Sequence, residues 1–353
     1  MLNKKFLVSV TLLMMTACSN MSNNPLPNTL NENNVLYISD GHNLQEIDVD
    51  TNDQKVIKNT IFIQSLNYDK DKKKIVAPGY SPGDFWGLLY VEGTDLKKQS
   101  TLPFSPIHLY QFGTKYVMDS AQALNDGKIH TTQVGLYDSN SDRMIKLFQV
   151  PGIVKDIAGY ESKAYISSYH SQENAQFAGV SPKSNIYELD LNSNELRPIF
   201  KNDQKWVPFK LLFQDGYLYG VYQSGRNVPK DATQNILAKI NPKTGTIEKT
   251  VQLSKFAKDL VLSTDGKSIF VTHFDEWGSQ ETIQNPLSKI DLSTFQVDVL
   301  SDNLRAASIV SNENKLYVGS DLDGKITVVD EKTFKVEKTI NTKIPAMYIT
   351  KNK

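Results

Sequence analysis

The 353-residue sequence contains a single cysteine, which excludes a disulfide framework and any cysteine-rich zinc or iron–sulfur site. It has no excess of charge of either sign, because 39 Lys and Arg residues balance 39 Asp and Glu residues. Nucleic-acid-binding proteins usually carry a basic surface, so the sequence predicts no nucleic-acid partner. The hydrolase and nucleotide-binding motifs G-x-S-x-G, H-E-x-x-H and the P-loop are also absent.

Long apolar runs are missing too, and the one notable run lies at the N-terminus. Lys4 and Lys5 precede the apolar segment Phe6–Met15, which is shorter than the roughly 18 residues that a membrane-spanning helix needs. This pattern is typical of a secretory leader. The following residues, Met15–Cys18, resemble a bacterial lipobox, in which the cysteine is lipidated and becomes the mature N-terminus. An ordinary secretory signal with a chance cysteine is the alternative.

The lipobox resemblance implies three segments. Residues 1–17 would be a lipoprotein signal peptide, and residues 18–34 would comprise the lipidated Cys18 and a flexible tether rich in Asn, Ser and Pro. Residues 35–353 would form one folded domain. Because a diacylglycerol plus an N-acyl chain is sufficient for stable anchoring, we expect the domain on the extracytoplasmic side of a bacterial cell membrane.

Internal repeats indicate the fold. In the last complete unit, Ala306–Val310, Lys315–Ser320, Lys325–Asp330 and Val336–Ile340 each have strand composition, and the Asp323-Gly324 pair is typical of a turn. The same succession of four short strands recurs along the chain about every 40 to 55 residues, as in propeller blades. First strands are predicted at seven places: near Ile63, Pro106, Val154, Pro208, Ala257, Arg305 and Pro345.

The two ends of the repeat array complement each other. The N-terminal unit begins at Val35–Ser39 without a first strand, whereas Ile344–Ile349 has the composition of a first strand with no unit after it. A ring in which the C-terminal strand completes the N-terminal blade accounts for both observations and removes the free sheet edges. The sequence therefore predicts an all-β, seven-bladed β-propeller with four-stranded blades. Six or eight blades, or a pair of β-sandwiches, are the alternatives.

The C-terminal units resemble the YVTN-type (YncE-like) bacterial β-propeller repeat family. The resemblance rests on an apolar-Tyr-Val strand, a strand ending in Asp, a Thr-x-x-Val turn and a proline before the next inner strand. These features correspond to Leu316–Val318, Val328–Asp330, Thr333–Val336 and Pro345. The resemblance covers about half of the chain well. It implies a fold rather than a function, because one propeller architecture serves many activities.

The loops between the second and third strands are the candidate binding region. In a propeller blade these loops lie on one face beside the axial channel, and here they are long, dissimilar and rich in aromatic and charged residues. Rigid aromatic side chains with a few polar groups are suited to ligand or protein recognition. The candidate binding residues are Tyr80, Asp84, Trp86, Tyr169, His170, Tyr222, Arg226, His273, Phe274, Asp275, Glu276 and Trp277.

Metal binding and hydrolysis on the same face are the alternatives. His108, His130, His170 and His273 are expected on or near this face, and His170, His273 and Asp275 are the weak candidates for metal ligands. The fold also resembles seven-bladed lactonases, which use carboxylates around an axial divalent cation. That resemblance implies a role for carboxylates among Asp84, Asp119, Asp275 and Glu276.

The sequence favours binding over catalysis and predicts no cofactor. We expect a monomeric, membrane-anchored binding or scaffold protein that uses its long-loop face. Its partner would be another envelope protein, a peptide or a small ligand at the channel mouth. The alternative is a metal-dependent, lactonase-like hydrolase or a metal-binding chaperone that uses the same face.

Overall fold

A computed structural model describes residues 34–58, 61–81, 85–92, 95–125, 130–169, 184–203, 207–222, 235–275 and 283–352. The first half of the chain forms three antiparallel sheets, which are numbered here as blades 1 to 3. The first sheet contains β1 (Val35–Ser39), β2 (Leu44–Asp48) and β3 (Gln54–Ile57). The second contains β4 (Phe62–Ile63), β5 (Asn67–Asp69), β6 (Lys74–Ser81), β7 (Phe85–Glu92) and β8 (Asp95–Thr101), with β4 and β5 both paired to β6 as one interrupted inner strand. The third contains β9 (Pro106–Phe112), β10 (Lys115–Asn125), β11 (His130–Asp138) and β12 (Arg143–Pro151).

Four further sheets follow in chain order, and they are numbered here as blades 4 to 7. Blade 4 contains β13 (Ile153–Tyr160), β14 (Lys163–Tyr169), β15 (Asn185–Asp190) and β16 (Glu195–Pro198). Blade 5 contains β17 (Lys210–Gln214), β18 (Tyr217–Tyr222), β19 (Ile236–Asn241) and β20 (Thr246–Gln252). Blade 6 contains β21 (Ala257–Leu262), β22 (Ser268–His273), β23 (Leu287–Asp291) and β24 (Val297–Leu300). Blade 7 contains β25 (Ser308–Asn312), β26 (Lys315–Gly319), β27 (Lys325–Asp330) and β28 (Lys335–Asn341).

The last strand, β29 (Tyr348–Lys351), closes the ring. It pairs antiparallel with β1, so that Leu36 lies opposite Lys351 and Ser39 lies opposite Tyr348, and it becomes the inner strand of blade 1. The prediction of a seven-bladed propeller closed by the C-terminal strand is therefore confirmed. Within the described ranges, no helix has the length and apolar character needed to cross a membrane.

Packing between blades explains the burial pattern of the strands. The described residues form seven apolar clusters, one at each interface between neighbouring blades, and the cluster between blades 7 and 1 joins Leu36 and Ile38 to Ile326 and Val328. Middle strands such as β22 are buried along their whole length, because each face of a blade meets a neighbour. Outer strands such as β20 are mostly exposed.

A repeated aspartate forms the turn between the third and fourth strands. The Asp190 carboxylate accepts hydrogen bonds from the backbone N–H groups of Asn192 and Ser193, and Asp291 and Asp330 make the same type of turn. These bonds lower the pKa of Asp291 to about 2, mainly through the Ser293 hydroxyl and the Thr294 backbone. The aspartate that ends a strand in the repeat pattern is thus a turn-forming residue of the face opposite the long loops.

A buried glutamine fastens the closing segment. Gln45, fully buried in β2, accepts hydrogen bonds from the backbone N–H groups of Lys343 (2.9 Å) and Ile344 (3.2 Å), and its amide donates to the Gln54 side chain. The Ser308 hydroxyl adds a bond to the carbonyl of Ala346. These side chains hold the chain in place just before β29.

We predict that Gln45→Ala lowers the free energy of unfolding by about 2–3 kcal/mol, because it leaves two backbone donors without their acceptor. Urea denaturation followed by tryptophan fluorescence measures this change. Gln296→Ala, in an exposed turn of blade 6, is the matched control and should change stability by less than about 0.5 kcal/mol. Equal effects of the two substitutions would contradict the fastening role of Gln45.

Candidate functional site

A cavity with a volume of about 870 Å³ lies on the propeller axis. It opens on the face from which the loops between second and third strands depart, because its walls are the first residues of the inner strands. All seven blades contribute to this axial cavity. Its lining comprises Gln64, Ser65, Leu66, Asn67, Ile107, His108, Leu109, Tyr110, Ile153, Val154, Lys155, Asp156, Ile157, Phe209, Lys210, Lys258, Asp259, Phe274, Asp275, Arg305, Ala307, Ser308, Asp321, Met347, Tyr348 and Ile349.

Strand register explains why inner-strand starts and long loops share this face. Ile153 at the start of β13 lies opposite Tyr169 at the end of β14, and Ala257 lies opposite His273 in the same way. Each second strand therefore ends beside the start of its inner strand. The long loops begin there, at the rim of the axial cavity.

Charged side chains line the part of the cavity formed by blades 4 to 7. Lys210 Nζ lies 3.4 Å from Asp156 Oδ1, and the other carboxylate oxygen of Asp156 accepts the backbone N–H of Leu211 at 2.8 Å. Arg305 makes a two-pronged ion pair with Asp321, at 2.8 and 3.1 Å. Side chains held by such bonds keep a fixed geometry, as a recognition site requires.

Aromatic rings support the cationic groups of the wall. Lys155 Nζ lies 5.1 Å from the centre of the Phe209 ring and 5.6 Å from that of Tyr169. Phe274 lies under both the Lys258 ammonium group and the Arg305 guanidinium group, at 4.7 and 5.2 Å. Each contact gives the cation a cation–π attraction and a defined position at the cavity wall.

Asp259 has the most perturbed carboxylate of the wall. Burial raises its pKa, the Lys210 ammonium group opposes this shift, and the nearby Asp156 carboxylate adds to it. The wall of blades 4 to 7 as a whole combines four cationic side chains with four carboxylates, Asp156, Asp259, Asp275 and Asp321.

Three of the predicted binding residues are packed inside the protein. Tyr169 and Tyr222 belong to the apolar cluster between blades 4 and 5 and are only 5% and 8% exposed. His273 is 1% exposed; its Nδ1 bonds to the carbonyl of Lys255 at 3.0 Å, and its Nε2 bonds to the Ser288 hydroxyl at 2.8 Å. These three side chains therefore do not provide the ligand-contact surface that the sequence led us to expect. They end their strands on the core side, where aromatic area stabilises the roots of the loops.

Phe274 and Asp275 both line the axial cavity, although Phe274 is itself only 7% exposed. Tyr80 and Trp86 lie opposite each other at the ends of β6 and β7, and the Tyr80 ring packs on Phe62 at 5.4 Å. Neither of them lines the cavity. They belong to the same face but stand farther out on blade 2.

The remaining predicted residues lie outside the described part of the chain. These are Asp84, His170, Arg226, Glu276, Trp277 and the lipidation candidate Cys18, and the side chain of His130 likewise falls outside it. Among the described residues there is no group of three or more His, Cys, Asp or Glu side chains that could hold a metal ion. Both ring nitrogens of His273 already have partners, so this ring is not open to a metal in the present geometry.

Sequence reasoning missed most of the charged wall. A signal for it exists: Lys155-Asp156 and Lys258-Asp259 are the same dipeptide at the start of the inner strands of blades 4 and 6. Charged pairs are unexpected in the innermost strand of a blade unless that strand faces a water-filled channel. Alignment of the repeats by blade position would have brought these pairs together.

Comparison with known proteins agrees on the fold. No family model and no curated protein matches the chain. Among solved structures it resembles the Kuenenia stuttgartiensis hydrazine synthase, with a TM-score of 0.60, 13% identity and coverage of 81% of this chain and 88% of that one. It also resembles apo AztD from Citrobacter koseri, with a TM-score of 0.55, 15% identity and coverage of 89% and 96%. A third similar structure is the dihydro-heme d1 dehydrogenase NirN in complex with DHE, with a TM-score of 0.58, 14% identity and coverage of 90% and 66%. At these identities the likeness shows the propeller fold alone.

We predict that His273 makes stability depend on pH. Burial lowers its pKa from 6.5 to about 4, so the unfolded chain binds a proton in this range before the folded chain does. The free energy of unfolding should therefore fall as the pH drops from about 6.5 to 4, by a total of about 3 kcal/mol. Chemical denaturation at several pH values measures this loss. In His273→Gln this part of the slope should disappear, whereas the exposed His42→Gln control should keep it; a slope unchanged in His273→Gln would contradict the assignment.

Proposed function

We propose that the protein is a lipid-anchored, extracytoplasmic binding protein of the YVTN type that takes a small polar ligand in its axial cavity. The observation that carries the proposal is the cavity itself: residues from all seven blades line one space of mixed polar and apolar character on the long-loop face. A volume of about 870 Å³ lies in the range of small-molecule sites, roughly 300–1,000 Å³. This size suits a small ligand or the end of a chain better than a folded partner.

The fixed geometry of the wall supports binding. Ion pairs hold Lys210 and Arg305, and ring faces support Lys155 and Lys258. These contacts are made within the protein itself, so less side-chain freedom is lost when a ligand enters.

The metal-dependent hydrolase alternative has less support. It needs at least three ligands converging on one point, and the described residues offer no such group. Of its candidates, Asp275 lines the cavity, while both ring nitrogens of His273 are engaged in hydrogen bonds. We therefore advance only the binding function.

Anchoring completes the proposal. A lipid on Cys18 would hold the propeller near the outer surface of the bacterial cell membrane, where a monomer would bind its ligand in the envelope. The 16 residues from position 19 to 34 would then serve as the tether.

Exposed apolar side chains near the cavity, Leu322 at 64% and Met347 at 39% exposure, would add contact area for the bound molecule.

We predict that Lys155→Ala combined with Lys258→Ala removes the bound ligand. Native mass spectrometry of the full chain, purified from its own host in mild detergent, should show a bound small-molecule mass in the wild type. The double variant should lose it, because two cations of the cavity wall are gone. The matched control is Lys243→Ala with Lys332→Ala, two exposed lysines in turns of the opposite face.

The control pair should retain the ligand at the wild-type level. A wild-type protein that carries no small-molecule mass under these conditions would overturn the proposed function. Equal loss of the ligand in both double variants would also overturn it, since a general change of surface charge would then explain the result.

We also predict that Cys18→Ala releases the chain from the membrane. The substituted cysteine can no longer accept a lipid, so the protein should move from the membrane fraction to the soluble envelope or culture fraction. Fractionation with immunoblotting and metabolic labelling with a radioactive fatty acid measure both effects. Cys18→Ala that stays in the membrane fraction, or a wild-type chain without label, would contradict lipid anchoring; Ser22→Ala serves as the control in the same segment.

A further inference from the structure

The face opposite the long loops carries a half-exposed aromatic ring. Tyr160 is the last residue of β13, and 52% of its surface is exposed. It is the one Tyr, Phe or Trp in the described part of the chain that is exposed rather than partly buried. A lone exposed ring is common on protein surfaces, so its role depends on how the fold holds it.

The ring of Tyr160 belongs to a stack that reaches the core. Its centre lies 4.7 Å from that of Phe213 in β17, with 15° between the two ring planes. The Phe213 ring also stacks on the buried ring of Tyr165 in β14, at 5.5 Å and 7°. Because Phe213 covers one side of the Tyr160 ring, the exposed surface belongs to the other side and to the ring edge. Tyr160 therefore presents a flat apolar face in a fixed orientation.

The backbone that leads into Tyr160 is held by the preceding blade. The rings of Tyr110 and Phe112 in β9 pack on Gly159, and the Tyr110 hydroxyl donates a hydrogen bond to the Gly159 carbonyl at 3.2 Å. A Cβ atom at position 159 would collide with the Phe112 ring, so glycine is needed for this close approach. Blade 3 thus fixes the backbone before Tyr160 and blade 5 fixes its ring. Such preorganisation lowers the entropy lost when a ligand binds.

Polar groups surround the edge of the ring. Glu161 and Asp215 lie in the adjoining two-residue turns of blades 4 and 5. The hydrogen bond to the Glu161 carboxylate raises the pKa of the Tyr160 hydroxyl, and the Asp215 carboxylate adds to this shift. Lys163 lies directly opposite Tyr160 in the register of β13 and β14. Hydrogen-bond acceptors and a donor therefore stand close to the apolar face.

The local charges are nearly balanced. Lys163 and Arg197 both bind the buried Glu188 carboxylate, at 2.9 and 2.8 Å. With Glu161 and Asp215, this region has three carboxylates against two cations. A ligand with a strong charge of either sign would meet a group of its own sign near the ring, so this surface favours a neutral ligand.

A sugar ring has the chemistry that this surface requires. A purely apolar ligand would displace water from Glu161 and Asp215 without replacing its hydrogen bonds, which is costly. A pyranose ring presents C–H groups on a flat face, and these suit the electron-rich face of an aromatic ring. Its hydroxyl groups, arranged around the edge, can donate hydrogen bonds to carboxylates.

We propose that Tyr160 is a carbohydrate-binding platform, on which one pyranose ring of a neutral glycan stacks while Glu161 and Asp215 accept hydrogen bonds from its hydroxyl groups. Tyr160 contacts the ligand, and Phe213 is a positioning residue that holds the ring. The platform is separate from the axial cavity, because none of the three contact residues lines that cavity. It can therefore bind a glycan whether or not the cavity holds a ligand.

Isothermal titration calorimetry of the full chain, in a detergent without a sugar headgroup, tests the platform with defined probes. Cellotriose, mannotriose and tri-N-acetylchitotriose offer neutral pyranose rings, sorbitol offers hydroxyl groups without a ring, and tetramethylammonium offers a cation. At least one trisaccharide should bind about tenfold more tightly than sorbitol and tetramethylammonium, because stacking adds to its hydrogen bonds.

Three substitutions of Tyr160 separate stacking from simple packing. Tyr160→Ala should lower the affinity for that trisaccharide about tenfold, since the ring face is lost. Tyr160→Leu keeps an apolar side chain against Phe213 but has no flat face, and it should lose as much. Tyr160→Phe keeps the ring and should stay within about twofold of the wild type. Equal affinities of Tyr160→Leu and Tyr160→Phe would overturn the stacking contact.

Two controls locate the site. Ile247→Ala removes an exposed apolar side chain from the outer strand of blade 5 and should leave every affinity unchanged. The double variant Lys155→Ala with Lys258→Ala, in the axial cavity, should also keep the trisaccharide. Loss of binding in this double variant but not in Tyr160→Ala would place the sugar in the cavity and overturn the platform.

The ligand class has its own contrary outcomes. Failure of all three trisaccharides to bind would overturn it, and so would tighter binding of tetramethylammonium, which would assign the ring to a cation. The function of the axial cavity is judged separately, by the co-purified mass and its dependence on Lys155 and Lys258.

Discussion

The antiparallel pairing of β29 with β1 is the contact on which the rest of the structure depends. Without it, the sheet of blade 1 would lack its inner strand and the axial cavity would be open along one side. Closure gives blade 1 its fourth strand, and it also brings the apolar faces of blades 7 and 1 together. The buried Gln45 side chain bonds to the segment before β29, so the closing strand arrives in a fixed register.

Closure also determines where chemistry can occur. Each inner strand begins on the same face and contributes its first residues to one shared space on the axis. Charged residues at these positions face a common cavity, although they are far apart in the sequence. Lys155, Lys210, Lys258 and Arg305 come from four consecutive blades in this way, and their neighbouring carboxylates and rings hold them in place. The ring thus converts a repeated local position into a single site.

Much of the fold could be predicted because it depends on local and periodic features. The missing first strand before Val35 and the isolated strand near Pro345 were sufficient to predict closure, and the turn-forming aspartates mark the ends of third strands. The functional site was harder to predict from the sequence. Tyr169 and Tyr222 have the composition of contact residues, yet they pack in the core between blades 4 and 5. Sequence alone does not separate an aromatic residue that ends a strand from one that begins a loop, since a shift of one position reverses its direction.

The two best-defined histidines illustrate what decides between structure and function. Both lie near the same face and both have fixed rings, so neither position nor residue type distinguishes them. His273 is enclosed, and its two nitrogens are bonded to Lys255 and Ser288 within blade 6. His108 receives its support from one side only, through a buried carboxylate, and its other nitrogen belongs to the cavity wall. The fold thus holds the His108 ring in place, but among the described residues it bonds only one of the two ring nitrogens. The second nitrogen, Nε2, gains a partner from a bound molecule or from water. This difference in hydrogen bonding separates the enclosed His273 from His108 at the cavity wall.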